Sequence, residues 1–319
     1  MRILVTGGAG FIGANFIKHI LNKYEDYSIV NLDKLTYAGN LRNLEDIQND
    51  KRYSFVKGDI CDRVIVEKSM NGCDIVVNFA AETHVDRSII TPDEFLRTNI
   101  LGTHTLLKSA KKYSIKRFIQ ISTDEIYGSI ENGSFTEESK ITPRNPYSAS
   151  KAGADMLTLS FYHTYNLPII ITRSSNNFGG YQHPEKLIPL FITNLLDGKK
   201  VPLYGDGRNI RDWTYVLDNC SAIDIVIHKG CVGEIYNISS GNEMQNIEIT
   251  KLILKKLSKD ELSIQYVPDR IGHDRRYSIE SRKIRRLGWK PEHEFEEALD
   301  KTIEWYKENI HWWKELKDK

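Results

Sequence analysis

The sequence has no long apolar run and little net charge, and each shortage excludes a class of protein. No apolar stretch approaches the ~20 residues that a helix needs to cross a bilayer. The formal net charge at pH 7 is only +1, whereas a nucleic-acid partner requires a surplus of basic residues to contact phosphates. We therefore expect neither a membrane nor a nucleic acid as the partner. A small anionic ligand held by a few local arginines remains open.

Cysteine is scarce as well, and its few positions indicate neither a metal site nor a disulfide framework. The four cysteines are Cys61, Cys73, Cys220 and Cys231. They form no CxxC motif and have no histidine at metal-ligand spacing, so we expect no metal and interpret them as small hydrophobes in a reducing compartment. Met1 leads directly into an apolar strand pattern rather than a signal peptide. The sequence therefore predicts a cytoplasmic protein.

Short apolar runs alternate with longer helical patterns in the first half of the chain. Near-continuous Val/Ile runs separated by helices are typical of a parallel sheet that is covered on both faces. The predicted strands are 2–5, 28–32, 53–59, 74–80, 117–122 and 168–175, and the predicted helices are 13–24, 92–113 and 147–165. This pattern predicts an α/β fold with a doubly wound parallel sheet of the Rossmann type.

The pattern changes after residue 175, where strands shorten and loops gain Gly, Pro, Asn and Arg. Helices are predicted over 186–196, 246–257 and 295–313, the last with Trp312 and Trp313 in a packing role. We expect an NAD-binding domain over 1–175, rejoined by part of 212–240. Residues 176–319 should form a smaller α/β region, mainly for substrate binding.

A glycine-rich turn joins the first strand to the first helix. GGAGFIG at 7–13 satisfies both GxGxxG and GxxGxxG. The glycines permit a tight turn and a close approach of backbone to a pyrophosphate, and the helix N-terminus behind them supplies N–H donors. Because a strand precedes the motif and a helix follows it, the motif predicts a dinucleotide site.

An acid ends the second predicted strand, 20 residues after the last glycine of the motif. Asp33 can accept hydrogen bonds from ribose hydroxyls and would repel a 2′-phosphate, which favours NAD over NADP. Lys34 complicates this preference, because a base there could tolerate the phosphate. Asp59 and Ile60 end the third strand and are expected to flank the adenine.

A tyrosine and a lysine share one face of the predicted helix 147–165. Tyr147 and Lys151 stand at i and i+4. A nearby ammonium favours the phenolate, so we expect Lys151 to lower the pKa of Tyr147 and make it a usable base. Together with the glycine motif and Asp33, this pair resembles the extended short-chain dehydrogenase/reductase superfamily. In that superfamily a Ser or Thr holds the substrate hydroxyl that the Tyr deprotonates, and Thr123 matches that position.

Two acids directly follow Thr123, at the carboxyl end of a predicted parallel strand. Open α/β sheets bind ligands at this edge. A simple oxidoreductase needs no further carboxyls, so Asp124 and Glu125 suggest extra proton transfers, as in the elimination of water. Adjacent strand residues point to opposite faces, so both acids reach one substrate only if the chain turns after Thr123.

Through nearly the whole chain the sequence closely resembles the dTDP-glucose 4,6-dehydratases. The most specific stretches are LDKLTYAGNL (32–41) and STDEIYG (122–128), because the related 4-epimerases lack the paired acids. The other matching stretches are GGAGFIG (7–13), GDICD (58–62), AAETHVDRSI (80–89), PYSASKAGAD (146–155), NNFGGYQHPEKLIP (176–189), GDGRNIRDW (205–213) and DRIGHDRRYSI (269–279).

The resemblance implies a three-stage reaction with tightly bound NAD that is regenerated in each turnover. Tyr147 would take the C4 hydroxyl proton of dTDP-glucose during oxidation to a 4-keto sugar. Glu125 would then remove the C5 proton while Asp124 protonates the departing C6 hydroxyl, and hydride would return to C6. The implied product is dTDP-4-keto-6-deoxy-glucose, a precursor of rhamnose or another deoxysugar.

The resemblance also implies which other residues hold the ligands. Besides Tyr147 and Lys151, the implied cofactor residues are Gly7, Gly10, Phe11, Ile12, Gly13, Asp33, Lys34, Leu35, Thr36, Asp59, Ile60, Phe79, Ala80, Ala81, Thr83, Thr98 and Asn177. The implied substrate residues are Thr83, Thr123, Asn176, Lys186, Leu187, Pro202, Leu203, Tyr204, Arg211, Asn246, Asp269, Arg270 and His273. A diphosphate needs cations, which independently favours Lys186 and Arg211.

The chain departs from the family pattern at two loop positions, and two of its histidines are candidates for a functional role. Gly180 and Ile271 stand where the family usually has proline. We interpret His84 as a structural hydrogen-bonding residue and leave His273 open as a substrate contact.

Several alternatives remain open at this stage. Another sugar-nucleotide epimerase or dehydratase is the main rival, and spacing does not separate thymine from uracil. A non-catalytic NAD-binding regulator is a rival from a different class. The resemblance further implies a homodimer, formed through the helices at 92–113 and 147–165.

Overall fold

The structure is a computed structural model that describes residues 1–270 and 272–317. Its strands are β1 (Arg2–Thr6), β2 (Ser28–Asp33), β3 (Tyr53–Lys57), β4 (Ile75–Asn78), β5 (Arg117–Thr123), β6 (Ile169–Ser174), β7 (Asn176–Phe178), β8 (Val201–Tyr204), β9 (Ile210–Tyr215), β10 (Ile235–Ile238), β11 (Glu243–Gln245) and β12 (Ile264–Val267). Its α-helices are α1 (Phe11–Lys23), α2 (Arg63–Met70), α3 (Val85–Ile90), α4 (Pro92–Phe95), α5 (Thr103–Lys112), α6 (Pro146–Tyr165), α7 (Leu187–Leu196), α8 (Val216–Lys229), α9 (Asn246–Lys256), α10 (Arg282–Arg285), α11 (Phe295–Glu308) and α12 (Ile310–Lys317).

Seven parallel strands form the main sheet, in the order β10-β6-β5-β4-β1-β2-β3. Helices cover both faces, so each central strand is buried on two sides and reads as a continuous apolar run. Phe16 of α1 and Ile223 of α8 belong to the core on one face. Leu106 of α5 and Phe161 of α6 belong to the core on the other. The predicted doubly wound α/β fold is confirmed.

A smaller region packs around a three-stranded sheet (β11-β9-β7) and a two-stranded sheet (β12-β8). Its core joins α7, α9, α11 and α12 through side chains such as Phe191, Ile253 and Leu299. β10 returns to the main sheet and pairs with β6. The division into domains at residue 175 nevertheless stays a prediction.

The helix predicted over 92–113 is not a single regular helix. Residues Leu96–Gly102 form a π-helical segment between α4 and α5. Asn99 turns inward there and donates from Nδ2 to the Glu82 carbonyl (3.1 Å) and to Ser150 Oγ (2.8 Å). Inserted π segments are common at functional sites, and this one places Thr98 in the cavity described below.

The terminal helix predicted over 295–313 is interrupted at Asn309. The Asn309 side chain donates to the Trp305 carbonyl (2.8 Å), and this local bond competes with continued helix. Trp312 and Trp313 are buried in the smaller region's core, in the packing role that the sequence predicts. Within the described residues, no helix is long and apolar enough to cross a membrane.

Candidate active site

A cavity of about 310 Å³ lies at the carboxyl ends of the parallel strands. The loops that follow β1, β2, β4, β5 and β6 contribute to its wall. Open α/β sheets bind ligands at this edge. The cavity therefore brings together segments that are far apart in the sequence.

The glycine turn forms one end of the cavity, as the motif predicts. Gly7 has φ +69°, and a Cβ on it would lie 2.6 Å from the backbone nitrogen of Ala80. Only glycine therefore fits this close approach of two backbone segments. α1 begins at Phe11 and directs its free N–H groups and positive dipole end toward the cavity.

Asp33 ends β2 and is held by the backbone of two neighbouring loops. Its Oδ2 accepts from the Ala9 N–H (2.9 Å) and its Oδ1 from the Leu35 N–H (2.8 Å). Burial raises the pKa of Asp33, and the two N–H donors oppose that rise. Leu35 adopts φ +58° and does not line the cavity. Its contribution is therefore the backbone bond to Asp33.

The basic residue after Asp33 is already paired. Lys34 Nζ lies 3.0 Å from Asp59 Oδ2. Because the Asp59 carboxylate neutralises it, the ammonium has less attraction for a 2′-phosphate.

Most of the other predicted cofactor residues lie in the cavity wall. They are Gly10, Ile12, Gly13, Thr36, Ile60, Phe79, Ala80, Ala81, Thr83, Thr98 and Asn177. Four predicted substrate residues share that wall, namely Thr83, Thr123, Asn176 and Lys186.

The chain turns directly after Thr123, as the convergence of two adjacent acids requires. Asp124–Tyr127 form one turn of 3₁₀ helix, capped by Thr123 Oγ1, which accepts from the Glu125 N–H (3.3 Å). Thr123, Asp124 and Glu125 all line the cavity. A regular strand would have sent the two carboxyls to opposite faces.

The two acids differ in their electrostatic surroundings. Burial, and then the Glu125 carboxylate, raise the pKa of Asp124 to about 8. Burial also raises the pKa of Glu125, but three cations oppose the rise, with Arg211 first and then Lys186 and Arg270. Asp124 is therefore suited to donate a proton at neutral pH, and the three cations favour the charged form of Glu125, which can accept one.

Tyr147 and Lys151 lie on α6 and line the cavity. The expectation that the pKa of Tyr147 lies below its ordinary value is wrong for this structure. Burial, and then the Glu125 carboxylate, raise that pKa. The Lys151 ammonium instead donates to the Ile121 carbonyl (2.6 Å), and burial lowers the pKa of Lys151 to about 8.

Most predicted substrate residues lie outside the cavity wall. They are Leu187, Pro202, Leu203, Tyr204, Arg211, Asn246, Asp269, Arg270 and His273. Leu203 is a core residue, whereas Arg211 and Arg270 are near enough to lower the pKa of Glu125. Ile271 falls outside the described residues.

The cations of this outer group have partners on neighbouring elements. The Arg211 guanidinium donates to the Asp274 carbonyl (2.9 Å) and lies 4.1 Å from the Tyr277 ring centroid. Arg270 Nε lies 2.6 Å from Asp86 Oδ1, at the start of α3. This ion pair joins Arg270 to the first turn of α3.

His273 makes a hydrogen bond to a nearby residue, Asp269. Its Nδ1 lies 2.6 Å from Asp269 Oδ1, and its ring packs edge-on to Tyr204 at 6.2 Å. Contact between His273 and the substrate stays a prediction.

Sequence reasoning missed Tyr37 and Glu185. The Tyr37 hydroxyl donates to Glu185 Oε1 (3.0 Å), and Glu185 lines the cavity. Both residues lie in matching family stretches, yet only the fold brings them together across 148 positions. His84 caps α3 through Nδ1, which accepts from the Arg87 N–H (3.4 Å), and this is a structural hydrogen bond as predicted.

Comparison with known proteins places the chain among sugar-nucleotide dehydratases. Residues 4–302 match the family model described as GDP-mannose 4,6 dehydratase. The Low-salt glycan biosynthesis protein Agl12 of Haloferax volcanii is 52% identical, over 96% of this chain and 98% of that protein. The dTDP-glucose 4,6-dehydratase of Streptomyces niveus is 49% identical, over 99% and 96%.

A solved structure supports the same placement. The crystal structure of DesIV, the dTDP-glucose 4,6-dehydratase of Streptomyces venezuelae with NAD and TYD bound, superposes with a TM-score of 0.97 at 49% identity. The match covers 99% of this chain and 100% of that one. The resemblance inferred from the sequence is therefore confirmed.

Proposed function

The chain belongs to the GDP-mannose 4,6 dehydratase family and groups with the dTDP-glucose 4,6-dehydratases, and from this premise we propose that it converts dTDP-glucose to dTDP-4-keto-6-deoxy-glucose. The proposal rests above all on one arrangement. The turn after Thr123 places two adjacent carboxyls in the cavity that also holds Tyr147. An epimerase has no use for such an acid–base pair.

The residues of the glycine end fit NAD as the cofactor. The glycine turn lets backbone approach a diphosphate, and the N-terminus of α1 offers N–H donors. The Asp33 carboxylate suits ribose hydroxyls. When bound, NAD supplies a reversible hydride acceptor, so that the sugar is oxidised and later reduced without net consumption of cofactor.

The chain's own residues handle the protons of the first stage. Thr123 Oγ1 holds the C4 hydroxyl of the sugar and Tyr147 Oη removes its proton. Because burial raises the pKa of Tyr147, this transfer requires a positive charge nearby, and the Lys151 ammonium lies on the same helix face.

The acid pair carries out the elimination. The C4 ketone acidifies C5–H, and a Glu125 carboxylate oxygen removes that proton. Asp124, kept protonated by its pKa of about 8, delivers a proton to the leaving C6 hydroxyl. Water departs across C5–C6, and Glu125 returns its proton to C5 when C6 is reduced.

Arg211, Lys186 and Arg270 offer the positive charge that a diphosphate needs. All three are near enough to Glu125 to oppose the rise of its pKa. Arginine binds phosphate oxygens in a bidentate manner. We propose that they hold the dTDP diphosphate and orient the hexose toward Thr123.

A direct assay tests this function. The purified protein is incubated with dTDP-glucose, without added reductant, and the product is analysed by mass spectrometry. A 4-keto-6-deoxy product has lost one water. An unchanged mass with formation of the galactose epimer would show an epimerase. No turnover, with NAD bound, would show a regulator. Rates with dTDP-glucose and UDP-glucose then settle the nucleotide preference.

The assembly we propose is a homodimer formed through α3, the π segment and α6. These neighbouring elements expose large apolar side chains, which soluble surfaces rarely concentrate. The side chains are Ile89, Ile90, Leu96, Leu101 and Met156. We also propose a cytoplasmic location, since all the cysteines are free thiols, as is usual in a reducing compartment.

A further inference from the structure

A third polar residue follows Tyr147 and Lys151 on the same face of α6. Asp155 stands four residues after Lys151, which stands four after Tyr147. Residues at this spacing lie above one another on a helix. Lys151 is 5% exposed and Asp155 is fully buried, so the row runs from the cavity into the core.

Asp155 forms a buried ion pair with Arg173 of β6. Arg173 Nε lies 3.0 Å from Asp155 Oδ2, and Arg173 is 1% exposed. Asp155 Oδ1 and Arg173 Nη2 are buried without a hydrogen-bond partner among the described residues. Taking such charges out of water is costly, and apolar residues of similar volume often serve stability as well. We therefore expect the Asp155–Arg173 pair to have a role other than stabilising the fold.

Arg173 also reaches the turn that carries the acid pair. Its Nη1 donates to the Tyr127 hydroxyl (2.7 Å), and that hydroxyl donates to Asn237 Oδ1 (2.9 Å). Tyr127 is the last residue of the turn that carries Asp124 and Glu125. One guanidinium thus joins the catalytic helix α6 to the turn after β5.

Asp155 is the acidic member of this buried network. Arg173 is paired with the Asp155 carboxylate, and the buried Lys151 stands one helical turn before it on α6. Burial lowers the pKa of Lys151, and Asp155 opposes that fall. Burial raises the pKa of Asp155, and Arg173 and then Lys151 oppose that rise. Each group therefore helps to keep the next one ionised.

We propose that Asp155 is a positioning residue for Lys151. Its carboxylate keeps the ammonium charged on the face of α6 that carries Tyr147, and Arg173 fixes the carboxylate relative to the acid-pair turn. The inference rests on the proposed function, because Lys151 must be charged to assist Tyr147. Without Asp155, the Lys151 ammonium would be a buried charge without a compensating carboxylate, and loss of its proton is the least costly way to avoid this.

Other ionisable groups surround this row and bear on any pH test. Tyr147 lies on the same helix, Tyr127 and the acid pair lie after β5, and Arg173 lies on β6. Asp124 enters only the elimination step. The oxidation step, which involves Tyr147 and Lys151, is therefore the one to follow.

The test compares Asp155→Asn with Asp155→Glu, which keeps the charge. Oxidation is followed in single turnovers by the absorbance of reduced nicotinamide across pH. In the wild type the rate should fall as pH rises through about 8, where Lys151 loses its proton. We expect Asp155→Asn to move this fall at least about one pH unit lower, and Asp155→Glu to leave it near the wild-type position. A folded Asp155→Asn enzyme with the wild-type profile would overturn the proposal.

A second measurement needs no turnover, so it separates this inference from the proposed function. Urea midpoints of the wild type and Asp155→Asn, without ligands, are compared on both sides of the Lys151 pKa. The decrease in urea midpoint caused by Asp155→Asn should be larger at a pH where native Lys151 is charged than at a pH where it is neutral. A loss that does not change with pH would show a merely structural role. If the wild type makes no dehydrated product, only the proposed function fails.

A further variant covers the case in which Asp155→Asn does not fold. Arg173→Gln removes the cation that does most to keep Asp155 ionised. The Lys151 ammonium then loses the support of a charged carboxylate, so the fall in the oxidation rate should move to lower pH. A fall that stays in place or moves higher would contradict the proposal.

Discussion

The hydroxyl of Thr123 donates to Asp124 Oδ1 at 3.2 Å while it accepts from the Glu125 N–H at 3.3 Å. One side chain therefore holds both residues of the acid pair. Because Thr123 itself ends β5, the rigid sheet fixes the carboxyls relative to the cavity. Loss of this hydroxyl would disturb two proton transfers and not only the binding of the sugar.

Replacement of the acid Asp124 by asparagine should stop the loss of water. The amide cannot protonate the C6 hydroxyl, and loss of a general acid costs ~10²- to 10⁴-fold in rate. Oxidation at C4 should persist. Mass spectrometry of the product and the absorbance of reduced nicotinamide measure the two steps separately. Equal loss of both steps would contradict the separate role of Asp124.

The elimination should also depend on pH in a defined direction. Burial, and then Glu125, raise the pKa of Asp124 to about 8. An acid works only while protonated, so the elimination rate should fall as pH rises through about 8. The slope is measured by quenched-flow product analysis. A rate that rises across this range would exclude Asp124 as the proton donor.

Glu125→Gln should block the exchange of the C5 proton with solvent while NAD binding is kept. Glutamine has the shape of glutamate but cannot act as a base at neutral pH. Mass spectrometry in heavy water measures deuterium at C5, and tryptophan fluorescence measures NAD binding. Deuterium incorporation at the wild-type rate would remove Glu125 from the base role.

Local motifs account for the part of the site that the sequence predicts well. The glycine turn, Asp33 and the Tyr147/Lys151 pair each lie within one strand–turn–helix segment or one helix face, so spacing alone determines their geometry. The turn after Thr123 follows from the same logic. For this reason the fold and most of the cofactor wall could be predicted from the sequence.

Contacts between distant segments account for what the sequence did not predict. Tyr37 meets Glu185, and Arg173 joins Asp155 to Tyr127, only because the sheet places their strands side by side. Periodicity contains no information on such pairs. The predicted lowering of the Tyr147 pKa failed for a related reason, because burial outweighs one charge and spacing does not report burial.

Asp59→Asn should weaken the preference for NAD over NADP. The substitution releases Lys34, whose ammonium lies 3.0 Å from the Asp59 carboxylate. A 2′-phosphate could then pair with that ammonium, and one exposed ion pair is worth up to ~1 kcal/mol, or about fivefold in affinity. Calorimetric titration of the cofactor-free protein with each cofactor measures the ratio of the affinities for NAD and NADP. The double variant with Lys34→Ala is the control. An equal gain in NADP affinity in that double variant would exclude Lys34 as the cause.

Leu101→Glu should convert the proposed homodimer to a monomer. Leu101 is 58% exposed in the π segment, and an interface would have to bury the new carboxylate without a partner. Size-exclusion chromatography with light scattering measures the mass. Leu262 is more exposed, at 79%, but lies on a distant turn of the smaller region. Leu262→Glu should therefore leave the mass unchanged, and a dimeric Leu101→Glu protein would exclude this interface.

Gly180→Ala should destabilise the protein through Trp305. A Cβ at residue 180 would lie 3.1 Å from three atoms of the Trp305 indole. The Gly180 carbonyl is held by Asn15 Nδ2 at 3.2 Å, so the backbone is not free to retreat. Overpacking of this kind costs about 1–3 kcal/mol, which urea denaturation would detect. Trp305→Leu supplies the space, so the double variant should lose less than the sum of the two single losses. Strictly additive losses would contradict the clash. A side chain larger than a methyl group at residue 180 would meet the indole sooner still, so the Trp305 ring accounts for the glycine at this position.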